Sequence, residues 1–268
     1  MEPLLTERQR REREAHDRWA ESTRDETLLV RESFESPTAL ENRFILSHFG
    51  DLSGRRVLDL GSGMGEASLY FASRGASVRA VDISPGQLAV LEQAAKEQGL
   101  DVKTHCGPAE RLPYADGEFD FVYGNGVLHH VEIQSVIPEM RRVLKPGGRF
   151  AFIEPLAYNP AIWVYRWLAS DVRTQDERPL EHADIQWVLG QFSRAEHREF
   201  WIASLGIFLY FWLGERVSPS EDRYWKKVIR DGARYGRVIG PLSRMDEILG
   251  RIPGLRLMAW NTVLYGER

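Results

Sequence analysis

The stretch VLDLGSGMGEASLYFASRGASVRAVDIS, residues 57–84, admits few folds. An apolar run meets a glycine-rich turn, an amphipathic segment follows, and a second apolar run closes on Asp82. That order of periods predicts strand, turn, helix and parallel strand, because two parallel strands need a crossover of about a dozen residues or more between them. The pattern continues downstream. In SPGQLAVLEQAAKEQG, Ser84 stands as an N-cap, Pro85 as the first helical residue and Gly99 just past the helix end. DVKTHC and EFDFVYGN read as third and fourth strands, IQSVIPEMRRVLKPGG as a helix ending in a Pro-Gly-Gly turn, and RFAFIEP as a fifth strand. The expected class is α/β, a doubly wound, mostly parallel sheet with helices on both faces. Such sheets bind ligands beyond the C-terminal ends of their strands, where the strand order reverses.

The glycine turn also narrows the ligand. Gly61, Gly63 and Gly65 are spaced G-x-G-x-G, and Glu66 occupies the position where a dinucleotide fingerprint wants a third glycine or an alanine. A carboxylate in that first helical turn would face the pyrophosphate that must dock on the free N–H groups, which disfavours an NAD-dependent oxidoreductase. Asp59, at the strand end, suits a ligand carrying an ammonium group, and Asp82 can accept both hydroxyls of a ribose. A ribose joined to an ammonium and a compact charged centre, with no phosphate, describes S-adenosylmethionine.

On these residues the chain resembles the class I S-adenosylmethionine-dependent methyltransferases of small molecules, closely over residues 34–155. VLDLGSGMG matches that family's first motif, AVDIS its second-strand acid, FDFVYGNGVLHHV its fourth strand and EMRRVLKPGGRFAFIE its helix and fifth strand. The resemblance implies a seven-stranded Rossmann-like sheet, with RAEHREFWI as sixth strand and LRLMAWNTVLYG as an antiparallel seventh, and S-adenosylmethionine as cofactor. It implies that Asp59, Gly61, Ser62 and Gly63 border the methionine part with Gly65 completing the loop, that Asp82 and Ile83 hold ribose and adenine, and that Asn125 lies beside the cofactor. Where many relatives carry an acid after strand three, this chain has Pro108, which leaves the N–H of Ala109 and the side chain of Glu110 for the base.

A sulfonium is already a good methylating agent, so the protein must align the acceptor and remove a proton where it carries one. The candidate bases are His129, His130, Glu154 and His182; one histidine of the LHH run is read as structural, and of the two His129 is the stronger candidate. No metal-ligand set is evident. Acceptor contacts are expected from two lid insertions, at about 155–180 and 203–252. The first offers Tyr158, Tyr165, Arg166 and Arg173, although its arginines can equally pair with the neighbouring acids. The second opens with FWIASLGIFLYFWL, whose Phe208 and Phe211 are read as the wall of an apolar acceptor pocket, with burial against the sheet as the competing reading. At about 14 residues that run falls short of the roughly 20 needed to span a bilayer.

The expected organisation is an N-terminal helical cap over residues 1–50, with Trp19 above the cleft, and a methyltransferase domain over 51–268. A net charge of −4 and a pI near 6.0 argue against a nucleic-acid partner. The single cysteine, Cys106, forbids an internal disulfide, and the charged N-terminus reads as that of a cytoplasmic chain. The activity expected is methyl transfer to an apolar or amphipathic small molecule, as in specialised metabolism, with oxygen, nitrogen or carbon left open as the target. The main alternative is C-methylation of an isoprenoid diphosphate, whose diphosphate the arginines would hold. Outside the class stands a membrane-surface binding protein without catalysis. The apolar insertion is compatible with a homodimer and with peripheral membrane contact.

Overall fold

The computed structural model describes residues 5–23, 27–168, 178–218 and 222–268, and for residues 165–168 the backbone alone. The chain runs α1 (Glu7–Ser22), α2 (Glu32–Glu35), α3 (Leu40–Phe49), β1 (Arg56–Leu60), α4 (Glu66–Ser73), β2 (Ser77–Asp82), α5 (Pro85–Gln98), β3 (Val102–Cys106) and β4 (Phe119–Asn125). A short 3-10 turn at Leu128–His130 leads into α6 (Ile133–Val143), β5 (Leu144–Pro155), α7 (Pro160–Leu168), α8 (His182–Gly190) and β6 (Arg194–Phe200). The elements α9 (Gly206–Leu213), α10 (Tyr224–Arg230), α11 (Gly232–Leu249) and α12 (Pro253–Arg256) precede the last strand, β7 (Asn261–Glu267).

The strands lie in the order β3-β2-β1-β4-β5-β7-β6, with β7 antiparallel to both neighbours. Period-two alternation sends Val57, Phe121, Tyr123 and Ile153 to one face and Leu58, Val122, Phe150 and Phe152 to the other. Helices cover both faces, which is why the central strands read as unbroken apolar runs. On the first face, the ring of Phe49 from α3 stacks on Phe121 at 4.7 Å, so α3 belongs to the sheet's own core. Chain order reverses between β1 and β4. In register, Leu60 lies beside Val81 and Gly124, which brings the C-terminal tips of β1, β2 and β4 to one edge.

Ser84 caps α5 by accepting the Gln87 N–H at 3.1 Å, and Gly99 ends it in the left-handed region, as the punctuation predicts. Two boundaries differ from the sequence reading. The helix expected to run up to the Pro146–Gly148 turn stops at Val143, and Leu144–Gly148, with that turn, join β5, Leu144 lying opposite Phe119. Pro146 disfavours helical backbone at the residue before it and has no N–H to give. The seventh strand begins at Asn261 instead of Leu255, because Pro253 starts the short helix α12.

Candidate functional site

The glycine turn folds as it does because three of its residues need the left-handed region: Gly61, Gly63 and Gly65 have φ of 69°, 55° and 93°. A Cβ on Gly61 would lie 2.6 Å from Val127 Cγ2, and one on Gly65 2.3 Å from Leu91 Cδ1. Those two glycines therefore serve close packing against the 127–130 segment and α5. Gly63 is different, since a Cβ there would meet only Gln87 Oε1, at 3.7 Å. Its N–H donates to Asp82 Oδ2 at 2.8 Å, while the Ser84 N–H donates to Oδ1 at 2.9 Å. Asp82 thus ties the turn to the start of α5. Burial raises its pKa, and the N–H of Ser84 opposes that rise.

Asp59 is buried and accepts the Ser68 hydroxyl at 2.6 Å. Desolvation pushes its carboxyl up to about 7, the Ser68 hydrogen bond pulls down, and the charge of Asp82 adds to the rise. The hydroxyl of Ser62 is buried and has no hydrogen-bond partner among the described residues. A buried hydroxyl left without a partner in the glycine turn, just after the strand that carries Asp59, is free to hydrogen-bond a ligand. Ile83 is half-buried and its carbonyl accepts from Cys106 Sγ. Ala109 is buried, Glu110 Oε1 accepts the Glu132 N–H at 3.4 Å, and Asn125 stands exposed at the tip of β4.

Beside Asn125, the 3-10 turn is organised by one buried carboxylate. Glu154 accepts the N–H groups of Val127 (3.0 Å), Leu128 (2.7 Å) and His129 (3.3 Å), and its Oε2 lies 2.7 Å from Nδ1 of the His129 ring. Nδ1 therefore carries the proton, and Nε2 is the basic nitrogen of the neutral ring. Glu154 is fully buried and saturated by these donors, so it orients His129. A further candidate base, His182, begins α8; its N–H donates to the Tyr158 hydroxyl at 2.7 Å, so these two expected site residues do meet.

The acceptor candidates divide. Arg173 and the side chains of Tyr165 and Arg166 lie outside the described residues. Arg178, the third arginine of this insertion, is engaged by Asp184 of α8 at 3.1 Å, an internal pairing but with an acid beyond the Asp171, Asp176, Glu177 and Glu181 set beside these arginines by the sequence. Phe208 and Phe211 lie in an aromatic core built inside the insertion: Phe208 is 5.1 Å from Trp260 and 5.3 Å from Tyr224, and Phe211 is 5.0 Å from Tyr235. The opposite face of α9, with Leu209, Tyr210, Trp212 and Leu213, is exposed. Trp201 anchors this insertion to the sheet. It takes a left-handed φ of 65°, is buried, and donates its Nε1–H to Glu41 at 2.7 Å. That strain, at the exit of β6 toward the site, is held by the fold around it.

Sequence reasoning set the N-terminal helix and Trp19 above the cleft, but it missed which residues of α1 reach the glycine turn and the 128–130 turn. A capping box between Thr6 and Gln9 starts the helix, and Asp17 then accepts the Ser84 hydroxyl at 2.5 Å and the Gly86 N–H at 3.0 Å. Thr23 reaches Met64 Sδ at 3.5 Å, and Arg223 of the insertion stacks on Trp19 at 4.8 Å. Glu12 Oε2 lies 3.0 Å from Nδ1 of His130 and 3.7 Å from Nε2 of His16. Burial lowers the His130 pKa, which favours the neutral ring. The three ligand atoms lie within 4.8 Å of one another, close enough to share a divalent transition metal. Nothing in ERQRREREAHDRWAES separates buried Glu12 from its solvated neighbours. Only the helix's docking does so.

A family model described as "Methyltransferase domain" matches residues 58–152. The chain is 37% identical over 173 residues to a demethylmenaquinone methyltransferase of Renibacterium salmoninarum, covering 61% of this chain and 71% of that protein. It is 40% identical over 119 residues to an uncharacterized methyltransferase of Synechocystis sp., covering 42% and 51%. This chain spans about half or less of the length of the first curated relatives it matches. Its fold is shared with a geranyl diphosphate C-methyltransferase from Streptomyces coelicolor, crystallised with Mg2+, geranyl diphosphate and S-adenosyl-L-homocysteine. The TM-score is 0.59 at 16% identity, covering 86% of this chain and 79% of the other.

Proposed function

Since the chain belongs to the class I S-adenosylmethionine-dependent methyltransferases, we propose that it moves a methyl group from S-adenosylmethionine to an apolar or amphipathic small molecule, seated between the 128–130 turn and the α7–α12 insertion. The observation that carries this reading is the meeting, at one sheet edge, of an acidic glycine turn with the buried His129–Glu154 pair. The bound cofactor supplies an electrophilic methyl group. Asp82 binds the ribose hydroxyls, the Ser62 hydroxyl finds in the cofactor the partner it otherwise lacks, and Asp59 balances the ammonium. His129 takes the acceptor's proton on Nε2, and Glu154 holds the ring for that transfer and stabilises the imidazolium. The aromatic insertion and α1 close over the edge and exclude water. The likeness to a demethylmenaquinone methyltransferase supports an apolar acceptor.

A second reading, C-methylation of an isoprenoid diphosphate, is favoured by the fold shared with the geranyl diphosphate enzyme. Among the described residues Arg178, which could clamp such an anion, is already paired with Asp184. Calorimetry tests the cofactor: S-adenosylmethionine binds, NADH does not, and Asp82→Ala weakens binding by about 1.5–3 kcal/mol for each charge-assisted hydrogen bond removed. Turnover with methyl-labelled cofactor is then compared on a demethylated naphthoquinone and on geranyl diphosphate with Mg2+. Transfer to geranyl diphosphate alone would establish the second reading. Tight NADH binding without S-adenosylmethionine binding would overturn both.

A further inference from the structure

Exposed apolar side chains are distributed very unevenly over this molecule. Among the described residues, every strongly exposed large apolar side chain falls between Tyr158 and Leu255. None lies in α1–α6 or in the strands. Single exposed apolar residues need no explanation, but a concentration in one stretch of the chain does.

On α11 and the turn after it the exposed residues form a row. Val238, Pro241, Met245, Ile248 and Ile252 follow one another at intervals of three and four, and all are exposed. The same helix turns Tyr235, Ile239 and Asp246 inward, with Asp246 accepting N–H groups from Ala203 and Ser204 at the start of the α9 segment. One position before three members of the row stand Arg237, Arg244 and Arg251, also exposed. None of the three is ion-paired with a carboxylate of the described residues. Residues 222–256 hold nine Lys and Arg against four Asp and Glu, a strongly cationic stretch in a chain whose net charge is −4. The outer face of α9 adds Trp212 and Leu213 and α10 adds half-exposed Trp225, aromatic and aliphatic groups suited to a membrane–water interface.

Spacing of three and four would also suit a second copy of the chain. Two such faces would set arginine rows against each other, with Glu247 the only exposed acid on the helix, and like charges would oppose that pairing. An anionic lipid surface meets both halves of the pattern: acidic headgroups for the arginines, acyl chains for the apolar row. The insertion leaves the sheet at Phe200 and returns at Asn261; these two residues pair, and Asn261 also pairs with Pro155 at the tip of β5. The face therefore hangs from the edge that bears the site. We propose that α11, the turn through Ile252 and the outer face of α9 dock this protein on an anionic membrane surface. An apolar acceptor then reaches the site from the lipid phase. The docking rests on this face alone and is separable from the acceptor reading.

Flotation of the full chain with vesicles tests it, using phosphatidylcholine alone and phosphatidylcholine with phosphatidylglycerol. The chain floats with the anionic vesicles, weakly or not at all with neutral ones, and added salt releases it. Each arginine near such a surface is worth about fivefold in affinity, so Arg237→Gln with Arg244→Gln lowers binding about twenty-fivefold. Met245→Ser with Ile248→Ser lowers it as well. Because these side chains are exposed, melting temperature and S-adenosylmethionine affinity stay unchanged in both variants. Failure of the wild-type chain to bind anionic vesicles, or binding that neither variant alters, would overturn the proposal. So would lipid-free dimerisation abolished by Met245→Ser with Ile248→Ser, which would make the face a contact between copies.

Discussion

Asp59→Asn should stabilise the cofactor-free protein at alkaline pH and leave it nearly unchanged in acid. Burial moves this carboxyl from its ordinary 3.8 to about 7, so the folded state holds a proton that the unfolded chain has already released. A raised folded value makes Asp59's contribution fully present below about pH 4. It is lost progressively as pH rises to about 7, and above that the ionised carboxylate remains as a cost. At about 1.4 kcal/mol per tenfold change in proton affinity, the span is about 4 kcal/mol, an upper figure because local relaxation reduces it. Asn keeps an oxygen that can accept the Ser68 hydroxyl but has no charge to desolvate. Urea denaturation of wild type and variant at pH 5 and pH 8 reads the difference directly. The variant's advantage should grow by about 2–3 kcal/mol at most between those values, since only about two of the three pH units of the shift lie above pH 5, while calorimetry shows weakened S-adenosylmethionine binding because the ammonium loses its counter-charge. An advantage that does not change with pH would refute the argument that desolvation of Asp59 governs this site.

Three further outcomes follow from the same geometry. Gly61→Ala should fail to bind cofactor and lose about 1–3 kcal/mol of stability, because its Cβ would lie 2.6 Å from Val127 Cγ2 at a positive φ; Gly63→Ala should bind poorly yet melt closer to wild type, since its Cβ meets only Gln87 Oε1 at 3.7 Å. His129→Asn should lower kcat by about 10²–10⁴ on an acceptor that carries a proton, and Glu154→Gln should change the pH profile of kcat through the ring it orients; unchanged profiles in folded variants would remove both residues from the chemistry. Phe211→Ala should cost about 3–5 kcal/mol in chemical denaturation with cofactor affinity preserved, whereas a rise in the acceptor's KM without loss of stability would place that ring in the acceptor wall.

The central sheet and its glycine turn were legible because they depend on short-range rules: period-two apolar runs, an N-cap at Ser84, a left-handed Gly99, glycines where the backbone must reverse. The acids Asp59 and Asp82 were legible for the same reason, since a strand end next to a glycine turn fixes where their side chains emerge. His129 and Glu154 were each visible as candidates, but their pairing was not. They are 25 residues apart, and only the parallel register of β4 and β5 brings them to 2.7 Å. The roles of Glu12, His16 and Asp17 were invisible, because a helix of mixed charge reads as solvated until something covers it. Phe208 and Phe211 show the converse: an all-apolar run has no stripe to say which side faces inward. Local sequence thus determined the elements, the glycine turn and the acids beside it. Tertiary structure alone decided which residues of the covering helix touch that edge, which carboxylate orients His129 and which apolar rows stay in water, because burial and long-range contact belong to the packed chain and not to any segment of it.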